Sequence, residues 1–376
     1  MFAVVGNGGA GGNIADLATR VFGIPSVAVN TSQNELNGLK NVKSKFRLIG
    51  SEGVGHNRNE AQDIFANQYQ EVVDFIKQNL NQPSIEIVFV AFSTGGGTGS
   101  GISPMLIEMC SNEMPEKTFV AMPILPDLQE LVVPQMNSSK TSEELAQLQC
   151  AILPIDNQAM RNMFPNIGKD ELYQQTNAKA LQLLDRILSY TTKQSKVGNF
   201  DRTDLRTIFN TKGVCTISEL GIAKMNHGKI DLSREGVANS VQNSWKNTVF
   251  TPVEYKKVVN AGIVFDGDPS MLKFIDPQLI FSKFELGMPI DLFDGGYDES
   301  DGQLLTILSG LAWNSERMGK IDQIIQESND KIALIFNEEE DVRYKSSANS
   351  IEDMIRSNKK SSGRTASDVL NKYKRK

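Results

Sequence analysis

The 376 residues carry 39 Lys/Arg against 45 Asp/Glu, a formal net charge of −6, with 40% hydrophobic and 22% charged side chains. That composition is ordinary for a soluble chain with a sizeable core, and no apolar run approaches the roughly 20 residues that a membrane-spanning helix needs. Three cysteines without paired spacing and only two histidines, His56 and His227, exclude a disulfide framework and a histidine-rich zinc site. The opening MFAVVGNGG has neither the charged nor the apolar region of a signal peptide, so the cytoplasm is the expected location. The charge is unevenly placed: residues 341–376 hold ten Lys/Arg and four Asp/Glu, +6, which leaves −12 on the acidic body.

In chain order, FAVVG predicts a strand, NIADLATRVF a helix and SVAVN a second strand. EAQDIFANQYQEVVDFIKQNL predicts one long amphipathic helix, with Ile64, Tyr69, Val72, Val73 and Ile76 near a 3.6-residue period. IEIVFVAF, TFVAMPI and CAILPI are continuous apolar runs of the kind found in parallel strands covered on both faces. A second long helix is expected over residues 171–192. Beyond it, GVCTISELGIAK, AGIVFDGD, PIDLFDGG and GQLLTILSGLAW predict strands, with a helix around PSMLKFIDPQLIFSKFE. RMGKIDQIIQESNDKIALIFNEEEDVRYK predicts a long closing helix, although KIALIF alone suits a strand equally. From residue 346 the chain turns polar, with one short helix near SDVLNKY. The alternation implies an α/β fold: a doubly wound, Rossmann-like sheet domain, a long central helix and a smaller α+β domain, then a C-terminal helix and a basic tail. The expected boundaries are 1–170, 171–198, 199–313, 314–345 and 346–376.

Two glycine-rich loops follow strands. GNGGAGGN satisfies G-x-G-x-x-G through Gly6, Gly8 and Gly11, but the second strand ends in Asn30, and no carboxylate follows until Glu35. A nicotinamide-dependent oxidoreductase, which wants an acid there for the ribose, is therefore a distant alternative. GGGTGSG, at residues 95–101, lacks the G-K-[ST] of a Walker loop. Five glycines exceed what a tight turn requires, whereas a phosphate cradle at a helix N-terminus accounts for both the glycines and the hydroxyls of Thr98 and Ser100.

GGGTGSG resembles the signature loop of the tubulin/FtsZ superfamily, and the likeness extends from residue 1 to about 344. The resemblance implies that Gly95, Gly96, Gly97, Thr98, Gly99 and Ser100 hold phosphates, and GNGGAGGN looks like the first phosphate loop, through Gly8, Gly9, Gly12 and Asn13. VAVNTSQNEL looks like the second loop, with Asn30, and EGVGHN like the third, with Gly53, Gly55 and Asn57 beside the γ-phosphate. Glu130, in PDLQELVVPQ, fits a ribose-binding acid. Asn157 stands at a second ribose position, although IDN replaces the NDR of FtsZ. Tyr173 and Asn177 resemble the guanine site, one helical turn apart and so on one face. Asn199, Asp201 and Asp204 in GNFDRTDL reproduce the N-x-D-x-x-D loop, which by family analogy reaches a neighbouring subunit's site and orients the attacking water. A solvated turn with Asp201 as a helix cap is the structural alternative. The resemblance thus implies a polymerising GTPase binding GTP or GDP, with Mg²⁺ supplied largely through the triphosphate, although no ligand set for the ion is legible. A long terminal helix with a basic tail looks most like the TubZ-type tubulins of plasmids and phages. Those move DNA through a DNA-bound adaptor protein held by the tail. Direct DNA binding by the tail lysines and a merely solubilising tail remain alternatives, as does an FtsZ-like division GTPase; no membrane partner is expected.

Overall fold

The computed structural model describes residues 1–222 and 232–337; the turn containing His227, the end of the expected closing helix and the polar tail lie outside them. The apolar runs become strands because each is buried on both faces: all six residues of β1 (Phe2–Asn7) and all eight of β5 (Thr118–Leu125) are inside. Between them come α1 (Gly8–Phe22), β2 (Ser26–Asn30), α2 (Gln33–Gly38), β3 (Ser44–Arg47), α3 (Arg58–Ala66), α4 (Tyr69–Leu80), β4 (Ile87–Ser93) and α5 (Thr98–Glu113). After β5 follow α6 (Val132–Gln147), β6 (Ala151–Ile152), β7 (Ile155–Asp156), α7 (Asn157–Met163), α8 (Lys169–Tyr190), β8 (Val197–Gly198) and α9 (Arg202–Phe209). The remainder is β9 (Gly213–Gly221), α10 (Arg234–Ser244), β10 (Asn260–Asp266), a 3-10 turn (Pro269–Phe274), α11 (Pro277–Ile280), β11 (Asp291–Tyr297), β12 (Gln303–Leu311) and α12 (Ser315–Asn337).

One sheet runs in the order β3-β2-β1-β4-β5-β6-β9-β12-β10-β11-β8, with β7 also paired to β5. From β3 to β9 every pairing is parallel; β12 then pairs antiparallel with both β9 and β10. The expected α/β fold is therefore present, and its first six strands have the doubly wound order 3-2-1-4-5-6. In such a sheet the ligand crevice lies beyond the carboxyl ends of the strands where the winding reverses, here β1 and β4. One face is covered by α1, α8 and α9, the other by α3, α4, α5 and α6. A third cluster packs α10 and α11 on the second half of the sheet.

Three expected elements are divided, among them the helix expected around PSMLKFIDPQLIFSKFE, which becomes the 3-10 turn and the short α11 that Asp276 caps. The helix expected from Glu60 to Leu80 breaks at Asn67 and Gln68, because the Gln68 side chain accepts from the Ile49 N–H at 2.8 Å and donates to its carbonyl at 2.7 Å. CAILPI divides around Leu153 and Pro154, where proline has no N–H for the ladder. KIALIF is helical as the end of α12. Among the described residues no helix is long and apolar enough to cross a membrane.

Candidate functional site

Helices α1 and α5 both begin where β1 and β4 end, and both begin inside the glycine loops. Their N-cap residues, Asn7 and Gly97, make no side-chain cap, and neither first turn contains an acid. By contrast α2, α3 and α9 are capped by Ser32, Asn57 and Asp201. Two helix ends therefore present unspent N–H groups and positive dipole ends to one cleft of about 410 Å³.

The glycine run has two causes. A Cβ on Gly97 would stand 2.5 Å from the Gly55 carbonyl oxygen, so this position is required by the close approach of two loops. At Gly96 nothing lies within 4 Å of an added Cβ; this residue opens onto the cleft. The Asn137 amide ties the loops together, donating to the carbonyls of His56 at 2.9 Å, Gly95 at 3.2 Å and Gly96 at 3.2 Å. The hydroxyls of Thr31 and Thr98 meet at 3.0 Å.

Of the residues singled out in the sequence, Gly8, Gly9, Asn30, Gly53, Gly55, Gly95, Gly96, Gly97, Thr98, Gly99 and Glu130 line this cleft. Ser100 is buried and turns its hydroxyl back onto the carbonyls of Gly96 and Gly97. Gly12 packs toward Leu39, Asn13 is exposed along α1, and Asn57 accepts from the Glu60 N–H at 3.2 Å as the cap of α3. Asn157 opens α7, buried, with its side-chain oxygen unpartnered.

A second cavity of about 680 Å³ shares His56 and Glu130 with the first and continues along Asp127, Arg161 and Lys169. Here Tyr173 donates its hydroxyl to Glu130 Oε1 at 3.2 Å, and the Lys169 ammonium lies 5.7 Å from the Tyr173 ring centre. Asn177 follows one turn along α8, partly buried. Burial pushes the Glu130 carboxyl above the ordinary carboxylate range and the Asp127 charge adds to this, while Lys169 and hydrogen bonds from Tyr173 and the Asp127 N–H oppose it. The ionised form is thus disfavoured in the fold, a cost present above the raised value and absent once pH falls into the ordinary range. Glu130→Gln is expected to raise the melting temperature at neutral pH. The gain should vanish near about pH 4.5; thermal scans of both proteins across this range check the sign.

Several cleft residues were not singled out in the sequence, although Glu35 and Glu52 lie within VAVNTSQNEL and EGVGHN. Glu35 returns through α2 so that Asn30 donates to its Oε2 at 2.6 Å. Glu52 and Ser93 also line the cleft, which contains no lysine or arginine. A bare polyphosphate would face the carboxylates of Glu35, which accepts from Asn30, and Glu52, which pairs with Arg47, against backbone N–H groups and the hydroxyls of Thr31, Ser93 and Thr98. The carboxylates and hydroxyls of the cleft are hard oxygen donors that suit Mg²⁺ shared with phosphate oxygens, and His56, which also lines it, turns its Nδ1 to the Gly95 carbonyl at 3.0 Å. Among the described residues no cluster of three or more His, Cys, Asp or Glu side chains holds a metal by itself.

Asn199, Asp201 and Asp204 do not line the cleft. Asp201 caps α9, accepting from the N–H of Thr203 at 2.7 Å and of Asp204 at 3.1 Å, while Asp204 accepts from the Asp201 N–H at 2.9 Å. Asn199 donates to Asp201 Oδ2 at 3.4 Å. Asp201 thus caps α9, which leaves Asp204 partly exposed.

Residues 2–165 match the Tubulin/FtsZ family, GTPase domain. The chain is 26% identical over 321 residues to the Tubulin-like protein CetZ of Pyrococcus abyssi, covering 82% of this chain and 85% of that protein. It is 32% identical over 139 residues to the Tubulin-like protein TubZ of Clostridium botulinum C phage, 37% of this chain and 38% of that one. A GTPγS-bound protofilament structure of CetZ2 from Haloferax volcanii has the same fold, with a TM-score of 0.70 at 20% identity over 88% of this chain and 99% of that one.

Proposed function

The chain carries the GTPase domain of the Tubulin/FtsZ family over residues 2–165, and from that premise we propose that it is a polymerising GTPase whose active site is completed by a second copy. The observation that carries this reading is a separation. Tyr173, near the start of α8, touches Glu130 in the cleft, and the helix from there to Tyr190 leads the chain about 26 Å along its axis. The acidic loop follows, and Arg206 in α9 donates to the Glu116 carbonyl at 2.6 Å. Glu116 precedes the N-terminal end of β5, whereas the cleft lies beyond the C-terminal strand ends. A loop on one end and a cleft on the other form a heterologous contact that does not close, and it propagates as a filament.

In that filament the N–H groups at the starts of α1 and α5 bind the phosphates of GTP. Glu130 and Asn157 serve the ribose hydroxyls in this reading, and Tyr173 and Asn177 the guanine. Asp201 and Asp204 of the adjoining copy, with Asn199 holding Asp201, orient the water that attacks the γ-phosphate. Mg²⁺, when bound, would neutralise charge between phosphate oxygens, with Glu35 and Glu52 as the protein's oxygen donors. The protofilament form of the CetZ2 relative supports self-association. The +6 charge over residues 341–376 supports a cargo role in DNA segregation through a DNA-bound adaptor protein.

Light scattering and electron microscopy with GTP, against a slowly hydrolysed analogue, test the reading. Filaments that persist with the analogue and turn over with GTP are expected, with a critical concentration for hydrolysis. Turnover linear in protein concentration would overturn the shared site. In the same assay a chain ending at residue 345 should still assemble and hydrolyse GTP but lose capture of adaptor-bound DNA.

A further inference from the structure

Arg317, in the first turn of α12, has no part in the motifs above, yet it is one of the most buried cations in the described structure, 5% exposed. Its guanidinium forks onto Asp156, itself 1% exposed, through Nε at 2.9 Å and Nη2 at 3.1 Å. Nη2 also donates to the Pro126 carbonyl at 2.5 Å. Pro126 begins the segment that ends at Glu130. That segment is held from its other side by α7: Arg161 pairs with Asp127 at 2.8 Å, and the Leu128 N–H donates to Gln158 at 2.9 Å. Asp156 in turn caps α7, accepting from the Gln158 N–H at 3.0 Å.

A buried ion pair is a poor source of net stability, because desolvating both charges offsets most of their attraction. A planar fork with three hydrogen bonds does fix geometry. We propose that Arg317 is a positioning residue for the nucleoside end of the cleft, acting through Asp156 and the Pro126 carbonyl to set where Glu130 and Tyr173 stand. The phosphate end needs no such support, since its donors are backbone groups of α1 and α5 and its loops are tied by Asn137. Arg317 thus divides the cleft into two independently held halves, one fastened to the sheet and one to the first turn of α12. The inference rests on the nucleotide reading given above.

The test uses the full chain with unlabelled GDP as the probe and inorganic tripolyphosphate as the phosphate-only ligand, both measured by titration calorimetry. Arg317→Lys retains the charge and loses the fork. Arg317→Met combined with Asp156→Asn removes both charges and keeps the helix-cap acceptor, so it leaves no lone buried ion. Both proteins are expected to bind the probe on the order of tenfold more weakly. Tripolyphosphate affinity should stay unchanged, and the double variant should keep the native melting temperature. Equal weakening of probe and tripolyphosphate would reduce Arg317 to general scaffolding and overturn the proposal. So would unchanged probe affinity in both variants. If the unaltered chain bound tripolyphosphate but neither GDP nor GTP, the nucleotide reading itself would fall.

Discussion

Asp204→Asn is expected to lower GTP hydrolysis by about 10²–10⁴-fold while leaving GTP binding and assembly intact. The carboxylate lies outside the cleft of its own chain, so binding should not sense the change. Asparagine also keeps an acceptor for the Asp201 N–H, preserving the capping pair of α9. Alanine at Asp201 is a less clean test, because loss of a cap costs about 0.5–2 kcal/mol and confuses stability with chemistry. Burial raises the Asp204 carboxyl above the ordinary range; the charges of Asp201 and Asp294 add to this, and the Asp201 N–H opposes it. A raised value makes the ionised group a stronger base, and it places the acid limb of the hydrolysis profile above the ordinary carboxylate range. Activity should therefore fall as pH drops through that raised value, and Asp204→Asn should abolish the limb along with the rate. Steady-state phosphate release across pH, with sedimentation to report polymer, measures both. An unchanged rate would remove Asp204 from the mechanism.

Gly96→Asp should abolish nucleotide binding with little effect on folding. Nothing lies within 4 Å of a Cβ there, and the backbone φ is not positive, so a side chain fits without strain. The new carboxylate would meet phosphate charge near the cleft floor. At about 4 Å and an effective dielectric of about 20, that repulsion is about 4 kcal/mol, on the order of 10²–10³-fold in affinity. The melting temperature of the nucleotide-free protein should stay within about 2 °C, as for other strain-free surface changes. Mixing gives the sharper result. Gly96→Asp supplies an intact acidic loop and Asp204→Asn an intact cleft, so two inactive proteins should regain hydrolysis together. Continued inactivity of the mixture would contradict a site shared between copies.

The glycine loops were legible because a helix start is local: its free N–H groups are consecutive, and the residues that expose them are contiguous. The parallel strands were legible for a related reason, since burial on both faces writes an unbroken apolar run. The break at Asn67 and Gln68 was not, because helical periodicity continues across it and only the Ile49 backbone, distant in the chain, accounts for it. Glu35 was set aside as too far from the end of β2, yet the short helix capped by Ser32 returns it to Asn30.

By itself the sequence determined the long strands of the sheet, the glycine loops at two helix starts and the resemblance carried by GGGTGSG and GNFDRTDL. Each rests on neighbours in the chain, so propensity, burial pattern and spacing record it. Tertiary structure alone decided that Glu130 meets Tyr173, that Arg317 reaches back to Asp156, and that Asp201 and Asp204 stand at the opposite end from the cleft. Contacts between residues far apart in sequence leave no periodic trace. They exist only because the sheet and the long helix α8 hold their ends at fixed distances.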